Sequence, residues 1–213
     1  MVTPEEYVLN PCGMLSVPLW KWRQIQVPPT MRIVHERDYR AELAVGFRDT
    51  VYFRLMHNLR KTPAPVTAGF ILQTAKDSDL DRIVSIINRS YDDLRVTAEE
   101  VLSYTKRNVY APGLWLMAVE MSDGSPMGCA LADYDREIGE ICLEWIQVLP
   151  RYRRRGVGTA IVQELIHRKP EGAKFATVSG SVENPTSPEA LYRHCGFTGQ
   201  DYWHIMTPLE ELP

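Results

Sequence analysis

The sequence predicts an α/β protein with a proline-rich N-terminal extension, and three observations carry that expectation. From about residue 66 onward, stretches of strand-like and helix-like hydrophobic spacing alternate. Ahead of that point lie seven of the 15 prolines, at positions 4, 11, 18, 28, 29, 63 and 65, against eight in the 147 residues that follow. With 45% apolar and 24% charged residues among 213, the chain has the composition of an ordinary globular protein and is long enough for a sizeable core.

Each element follows from local pattern. Proline removes a backbone donor and biases its predecessor away from helix, so residues 1–31 are expected to be extended, loop-rich and wrapped on the rest of the chain. Between Asp38 and Lys61 there is no proline, and Tyr39, Leu43, Phe47, Val51, Leu55 and Leu59 recur at mostly fourfold spacing, which predicts an amphipathic helix. The run Lys61 to Val66, KTPAPV, reads as a linker, giving an extension over residues 1–65 and a main domain over 66–213. Ala68 to Thr74 is strand-like. Leu80, Ile83, Val84, Ile86 and Ile87 mark a helix over Asp79 to Ser90, with Asp77 or Ser78 as N-cap. TAEE at Thr97 is a capping-box pattern opening a second helix. Leu114 to Met121 and Gly128 to Tyr134 form a predicted hairpin about the turn cluster SDGSP. Ile141 to Val148 is a third strand, Gly156 to Arg168 a helix, Phe175 to Val182 a strand, Pro188 to His194 a short helix and Tyr202 to Met206 a last strand.

Composition also excludes. The longest unbroken apolar run, Leu114 to Val119, has six residues, far short of the roughly 20 that cross a bilayer as a helix. Lys and Arg number 24 against 27 Asp and Glu, a net charge of -3, and the first ten residues lack a basic-then-apolar leader pattern. A cytoplasmic protein with no membrane partner is expected. Cys12, Cys129, Cys142 and Cys195 are widely spaced, with no ligand spacing to histidine, so neither a disulfide scaffold nor a metal site is expected. The five histidines read as surface or packing residues. The five tryptophans read as core, with Trp115 or Trp145 a candidate cleft wall.

The segment richest in chemistry is LEWIQVLPRYRRRGVGTAIVQEL, Leu143 to Leu165. A strand and a proline stop lead into four arginines in five residues, Gly-x-Gly and a helix. Glycines let backbone N–H groups approach a ligand, the helix N-terminus adds a positive dipole end, and the arginines add full charges, so a phosphate or diphosphate is the natural guest. A dinucleotide fingerprint fails, because its sixth position is Ile161 and Phe175 to Val178 offers no acid. A P-loop fails at Gly158-Thr159-Ala160, which has no lysine. The plainer alternative is a solvated arginine-rich turn. Nucleic-acid binding is not expected of one short cluster in an acidic chain.

Arg153-x-x-Gly156-x-Gly158, preceded by Val148-x-Pro150-x-Tyr152, resembles the acetyl-CoA signature of the GNAT superfamily of N-acetyltransferases. NPTSPEALYRHCGF, Asn184 to Phe197, is similar to a second block of that family, in the same order and spacing, and ILQTAKDSDLDRIVSIINRSY resembles its opening strand and helix. The resemblance covers about Val66 to Leu212. It implies the GNAT fold, a mixed central sheet flanked by helices, and transfer of an acetyl group directly from acetyl-CoA to a primary amine of a small molecule or peptide, without a metal. It further implies that the backbone of Ile146, Gln147 and Val148 pairs with pantetheine amides. The diphosphate would lie over Arg153, Arg154, Arg155, Gly156, Val157, Gly158 and Thr159, and Asn184 would touch the pantetheine arm. Tyr192 matches the family's general acid beside the thioester sulfur; the plainer reading is a helix tyrosine packed on Phe197.

Glu144 stands out on its own. Period-two alternation puts it on one face with Cys142, Ile146 and Val148. If that face lines an acceptor cleft, desolvation would suit the carboxylate to act as base or to hold the amine; otherwise it is a strand-edge glutamate. Family members acting on protein N-termini often carry a glutamate before the asparagine block, and here Val178-Ser179-Gly180-Ser181 stands there, which weakens that reading. Cys195 has no base at nucleophile spacing. The extension is expected to shape the acceptor cleft or a homodimer contact, or else to serve as a stabilising appendage. The rival functional class is a catalytically silent acyl-CoA-binding regulatory module.

Overall fold

Thr3 opens the chain's first helix, α1 (Pro4–Leu9), through a capping box: its hydroxyl accepts the Glu6 N–H at 3.2 Å and the Glu6 carboxylate accepts the Thr3 N–H at 2.9 Å. A second helix, α2 (Leu19–Gln24), starts directly after Pro18. The expectation of extended chain over residues 1–31 is therefore corrected. Pro4 occupies the first helical position and Pro18 the cap, where a missing N–H costs nothing. The computed structural model describes residues 2–60, 64–91 and 94–209; Lys61 to Pro63 of the predicted linker lie outside them. Among the described residues, eight strands of a mixed sheet and six α-helices make a mixed α/β fold, the predicted class. The described residues divide into two compact units, residues 1–57 with 177–213, and residues 58–176.

In the first unit the predicted helix over 38–61 is replaced by 3-10 turns at Glu36–Asp38 and Ala41–Ala44 and by an 11-residue strand, β2 (Phe47–His57). The reason lies in the spacing itself. Apolar residues four apart satisfy a period of two as well as a helix, and Thr50, Val51, Tyr52 and Phe53 are strand formers. β1 (Arg32–His35), which local pattern did not announce, and β2 flank β8 (Thr198–Pro208), both antiparallel, with Val34 and Val51 on either side of His204. The strand β7 (Phe175–Ser181) follows β2 in this order from Thr177 on. The N-terminal segment contributes Tyr7, Cys12, Leu15, Leu19 and Trp20 to the core.

At the centre of this unit is a buried guanidinium. Arg54, 1% exposed, donates to Pro11 O at 3.0 Å, Tyr7 OH at 2.7 Å, Ser179 Oγ at 2.9 Å and Thr177 Oγ1 at 3.4 Å. The Trp203 indole N–H donates to Cys12 O at 2.8 Å. Together these bonds tie Tyr7, Pro11 and Cys12 to β2, β7 and β8.

The second unit is an antiparallel array in the order β3-β4-β5-β6: β3 (Phe70–Thr74), β4 (Tyr110–Glu120), β5 (Pro126–Asp135) and β6 (Glu140–Val148). The hairpin of β4 and β5 turns through SDGSP, with Gly124 at φ 68° and the Ser125 N–H held by Asp123. Helix α3 (Leu80–Asn88) buries Ile83, Ile86 and Ile87. Its entry differs from expectation: a 3-10 turn at Asp77–Asp79 leads in, and Asp79, not Asp77 or Ser78, accepts a backbone N–H, that of Lys76 at 3.0 Å. Helix α4 (Ala98–Tyr104) carries the capping box read from TAEE, with Thr97 and Glu100 bonded reciprocally at 2.7 and 3.1 Å.

Helix α5 (Val157–His167) buries Ile161, Val162 and Leu165 on the sheet. A Cβ on Gly128, paired with Val148, would meet Ile161 at 3.3 Å, so this face of β5 and β6 is the one α5 covers. α3 packs on β5 and β6 as well, and Gln147, which points to the other side, reaches Tyr91 just beyond α3. The sheet of this unit is thus flanked on both faces. Helix α6 (Pro188–His194) belongs to the first unit.

Candidate functional site

β6 ends at Val148 and the chain turns through a 3-10 segment, Pro150–Tyr152, before entering α5. Tyr152 is buried and anchors the turn, with the Arg151 and Arg155 guanidinium carbons 4.7 and 5.3 Å from its ring centre. Arg153 donates from Nε to Val148 O at 3.1 Å, which folds its stem back along the strand end. Arg154 and Gly156 both adopt left-handed backbone, φ 62° and 79°, so the loop doubles back before the helix starts.

The first intrahelical bond of α5 runs from the Ala160 N–H to Gly156 O at 3.0 Å. The amides of Val157 and Gly158 precede it and have no carbonyl of their own helix to bond. A Cβ on Gly156 would meet nothing within 4 Å, so the space over this residue is open. Exposed left-handed glycine, helix-start amides, the dipole end and clustered guanidinium groups form a cradle whose chemistry suits an anion such as a diphosphate. Arg155 also bridges to Glu120 at 2.9 Å, side chains 44% and 22% exposed, a contact weak enough in water to exchange for a stronger anion.

On β6 the geometry departs from simple alternation. Leu131 pairs with Trp145, but Ala132 pairs with Leu143, so Glu144 is the extra residue of a β-bulge. The bulge reverses parity along the strand. Cys142 shares a face with Trp145 and Gln147, and not with Ile146 and Val148 as period-two reasoning placed it. Glu144 itself is half-buried, and the Cys142 thiol donates to its Oε1 at 3.2 Å. Beyond the bulge, Gln147 donates from Nε2 to Tyr91 OH at 2.8 Å, and the Tyr91 and Trp145 rings meet edge-on at 6.1 Å. Tyr91 sits 56 residues from Gln147, and no local pattern links them.

The remaining predicted site residues belong to the first unit. The Asn184 side chain accepts from the Thr186 N–H at 3.0 Å and its hydroxyl at 2.7 Å, shaping the turn into α6. Tyr192 is buried in α6, its ring 6.1 Å from Phe53 and 5.8 Å from Phe197.

Other chemistry-bearing groups are accounted for by packing. All four cysteines are buried thiols; burial pushes Cys129 up to about 12 and Cys195 up to about 11, so neither is a ready nucleophile. His57 packs against Phe197 at 5.3 Å. His204 is more tightly held than a packing histidine, with Nδ1 2.7 Å from Asp49, Nε2 2.6 Å from Glu36 and its ring stacked on Tyr39 at 3.6 Å. Burial alone would lower its pKa, but the two carboxylates outweigh this and raise it. Among the described residues no group of three His, Cys, Asp or Glu is placed to hold a metal, and no helix is long and apolar enough to cross a membrane.

Residues 113–199 match the family model described as an acetyltransferase (GNAT) domain. The structure is similar to a GCN5-related N-acetyltransferase from Sphaerobacter thermophilus, TM-score 0.70 at 22% identity, covering 83% of this chain and 58% of that one. It is also similar to a GCN5-related N-acetyltransferase from Kribbella flavida, TM-score 0.58 at 17% identity, over 86% of this chain and 71% of that one. A third likeness is to the ribosomal-protein-S18-alanine N-acetyltransferase from Escherichia coli, TM-score 0.51 at 19% identity, over 68% and 99%. At these identities the likeness is one of fold, and the chain spans less than two thirds of the Sphaerobacter protein's length. No curated protein matches the chain. The cradle between β6 and α5 lies inside the matched residues, in the part of the chain that is similar to a GNAT acetyltransferase domain.

Proposed function

We propose that the protein transfers an acetyl group from acetyl-CoA directly to a primary amine of a small molecule or peptide. The observation that carries this reading is the cradle at Arg153 to Thr159, where an open left-handed Gly156 precedes the first amides of α5. The diphosphate of the cosubstrate rests there, on Arg153, Arg154 and Arg155 and the amides of Gly156, Val157, Gly158 and Thr159. Backbone groups of Ile146, Gln147 and Val148 bind the pantetheine arm, and Asn184 touches it. Bound acetyl-CoA supplies a thioester carbonyl open to attack.

Attack requires an uncharged amine, whereas a free alkylammonium titrates well above neutrality. Glu144 accepts that proton, directly or through water, and the bulge supports this role by setting Glu144 apart from the register of β6 with β5. As the C–N bond forms and the C–S bond breaks, Tyr192 gives its hydroxyl proton to the departing thiolate. The acceptor selectivity belongs to loops and faces that vary within one fold. Catalysis in the cytoplasm, and a contribution of the N-terminal segment to the acceptor cleft or a homodimer contact, are part of the same reading.

The test is thiol release from acetyl-CoA across amines, polyamines, amino acids and N-terminal peptides, with Tyr192→Phe alongside. Acceptor-dependent release that falls at least about tenfold in the variant, the scale of lost acid catalysis, supports the proposal. Release unchanged in Tyr192→Phe removes that residue's role. Tight CoA binding without release on any acceptor replaces the enzyme by a silent binding module.

A further inference from the structure

Glu144 does not stand alone at the bulge. Cys142, two residues before it and 4% exposed, places its Sγ 3.2 Å from Glu144 Oε1. An ionised carboxylate only accepts, so in this contact the thiol donates. Leu143 is paired to Ala132 and Trp145 to Leu131, and Glu144, the extra residue between them, stands on the side of its i-2 neighbour.

Other charged groups share the Cys142 face of the sheet. Asp133 stands opposite Cys142 and Asp135 opposite Glu140, all three carboxylate residues buried on the Cys142 face. Arg107, in the link from α4 to β4, approaches Asp133 at 3.7 Å. Tyr91, beyond α3, presents its hydroxyl to Gln147 on the same face, and α5 covers the opposite one. Neighbouring carboxylates favour the neutral acid, whereas a donated hydrogen bond favours the anion.

We propose that Cys142 is a positioning residue for Glu144, its S–H bond holding the carboxylate ionised and turned out of the bulge. The inference rests on the reading of Glu144 as the base. It makes the thiol part of the acyl-transfer machinery without any bond forming at sulfur.

The experiment is a pH titration of the Glu144 carboxyl carbon by NMR in the full chain with ¹³C-labelled glutamate, the resonance assigned by its loss in Glu144→Gln. Wild type is compared with Cys142→Ala, Cys142→Val and Cys142→Ser. The variants without a donor should titrate about half a pH unit or more higher. Serine, a stronger donor, should return the midpoint to the wild-type value or below it. Valine fills the space a smaller alanine leaves, so a folded donor-free variant is in hand even if one of the two is unstable. A midpoint within about 0.2 unit of wild type in a folded donor-free variant overturns the inference. Turnover of Glu144→Gln on an accepted amine separates the two readings: full turnover refutes Glu144 as base whatever the titration shows, and lost turnover with an unmoved midpoint refutes the role of Cys142 alone.

Discussion

Replacing Gly156 by alanine separates a strained turn from a ligand cradle. The residue sits at φ 79°, a conformation that costs an L side chain about 1–2 kcal/mol. The reduced freedom of the unfolded chain returns about 0.4–1 kcal/mol of this. A methyl group here meets nothing within 4 Å, so no steric penalty is added and the protein should fold. The net loss is about 1 kcal/mol, which in a chain of this size lowers Tm by about 2–4 °C. On the proposed reading a diphosphate packs against this open loop, and the methyl takes up space there. CoA affinity, measured by calorimetry, should then fall at least about tenfold, or roughly 1.4 kcal/mol. Gly69→Ala is the matched control, since Gly69 has φ 80° with nothing within 4 Å and lies in the turn before β3. It should lose the same stability and no affinity. Equal CoA affinity in Gly156→Ala and Gly69→Ala, with equal loss of Tm, refutes the assignment of the cradle.

Two further outcomes follow from the first unit. Arg54→Met keeps the side-chain volume but strips donors from Pro11 O, Ser179 Oγ and Tyr7 OH, so unfolding in urea should show a loss of about 2–4 kcal/mol; a change below about 0.5 kcal/mol would mean that the N-terminal segment is not held through this residue. His204 should make stability pH-dependent. Its folded pKa is raised above the unfolded value, so its contribution is complete below that unfolded value, about 6.5, and is lost as pH rises through the folded pKa. Tm of the wild type should therefore fall between slightly acid and alkaline pH by more than Tm of His204→Gln; parallel profiles would show that the imidazolium bridging Asp49 and Glu36 contributes nothing.

Much of the fold and the cradle is legible in local sequence, for a common reason. The TAEE box, the SDGSP turn, the αL glycine before α5 and the arginines around it act on neighbours within a few residues. Their geometry follows from backbone sterics and hydrogen bonds that travel with the segment. The same holds for α3, α5 and α6, whose apolar spacing admits one periodicity. β2 shows where this ends, because residues four apart fit helix and strand alike, and β8 beside it decides between them.

The site's finer features are tertiary for the same physical reason carried further. The bulge at Glu144 exists only as a mismatch of register between β6 and β5, so no reading of β6 alone can contain it. Tyr91 meets Gln147 across 56 residues, and Arg54 gathers partners from α1, the Pro11 turn and β7. Local sequence settles conformations that a segment can adopt by itself; buried donors, acceptors and charges take their partners from whichever strands the core brings beside them, and that choice is made by packing of the whole chain.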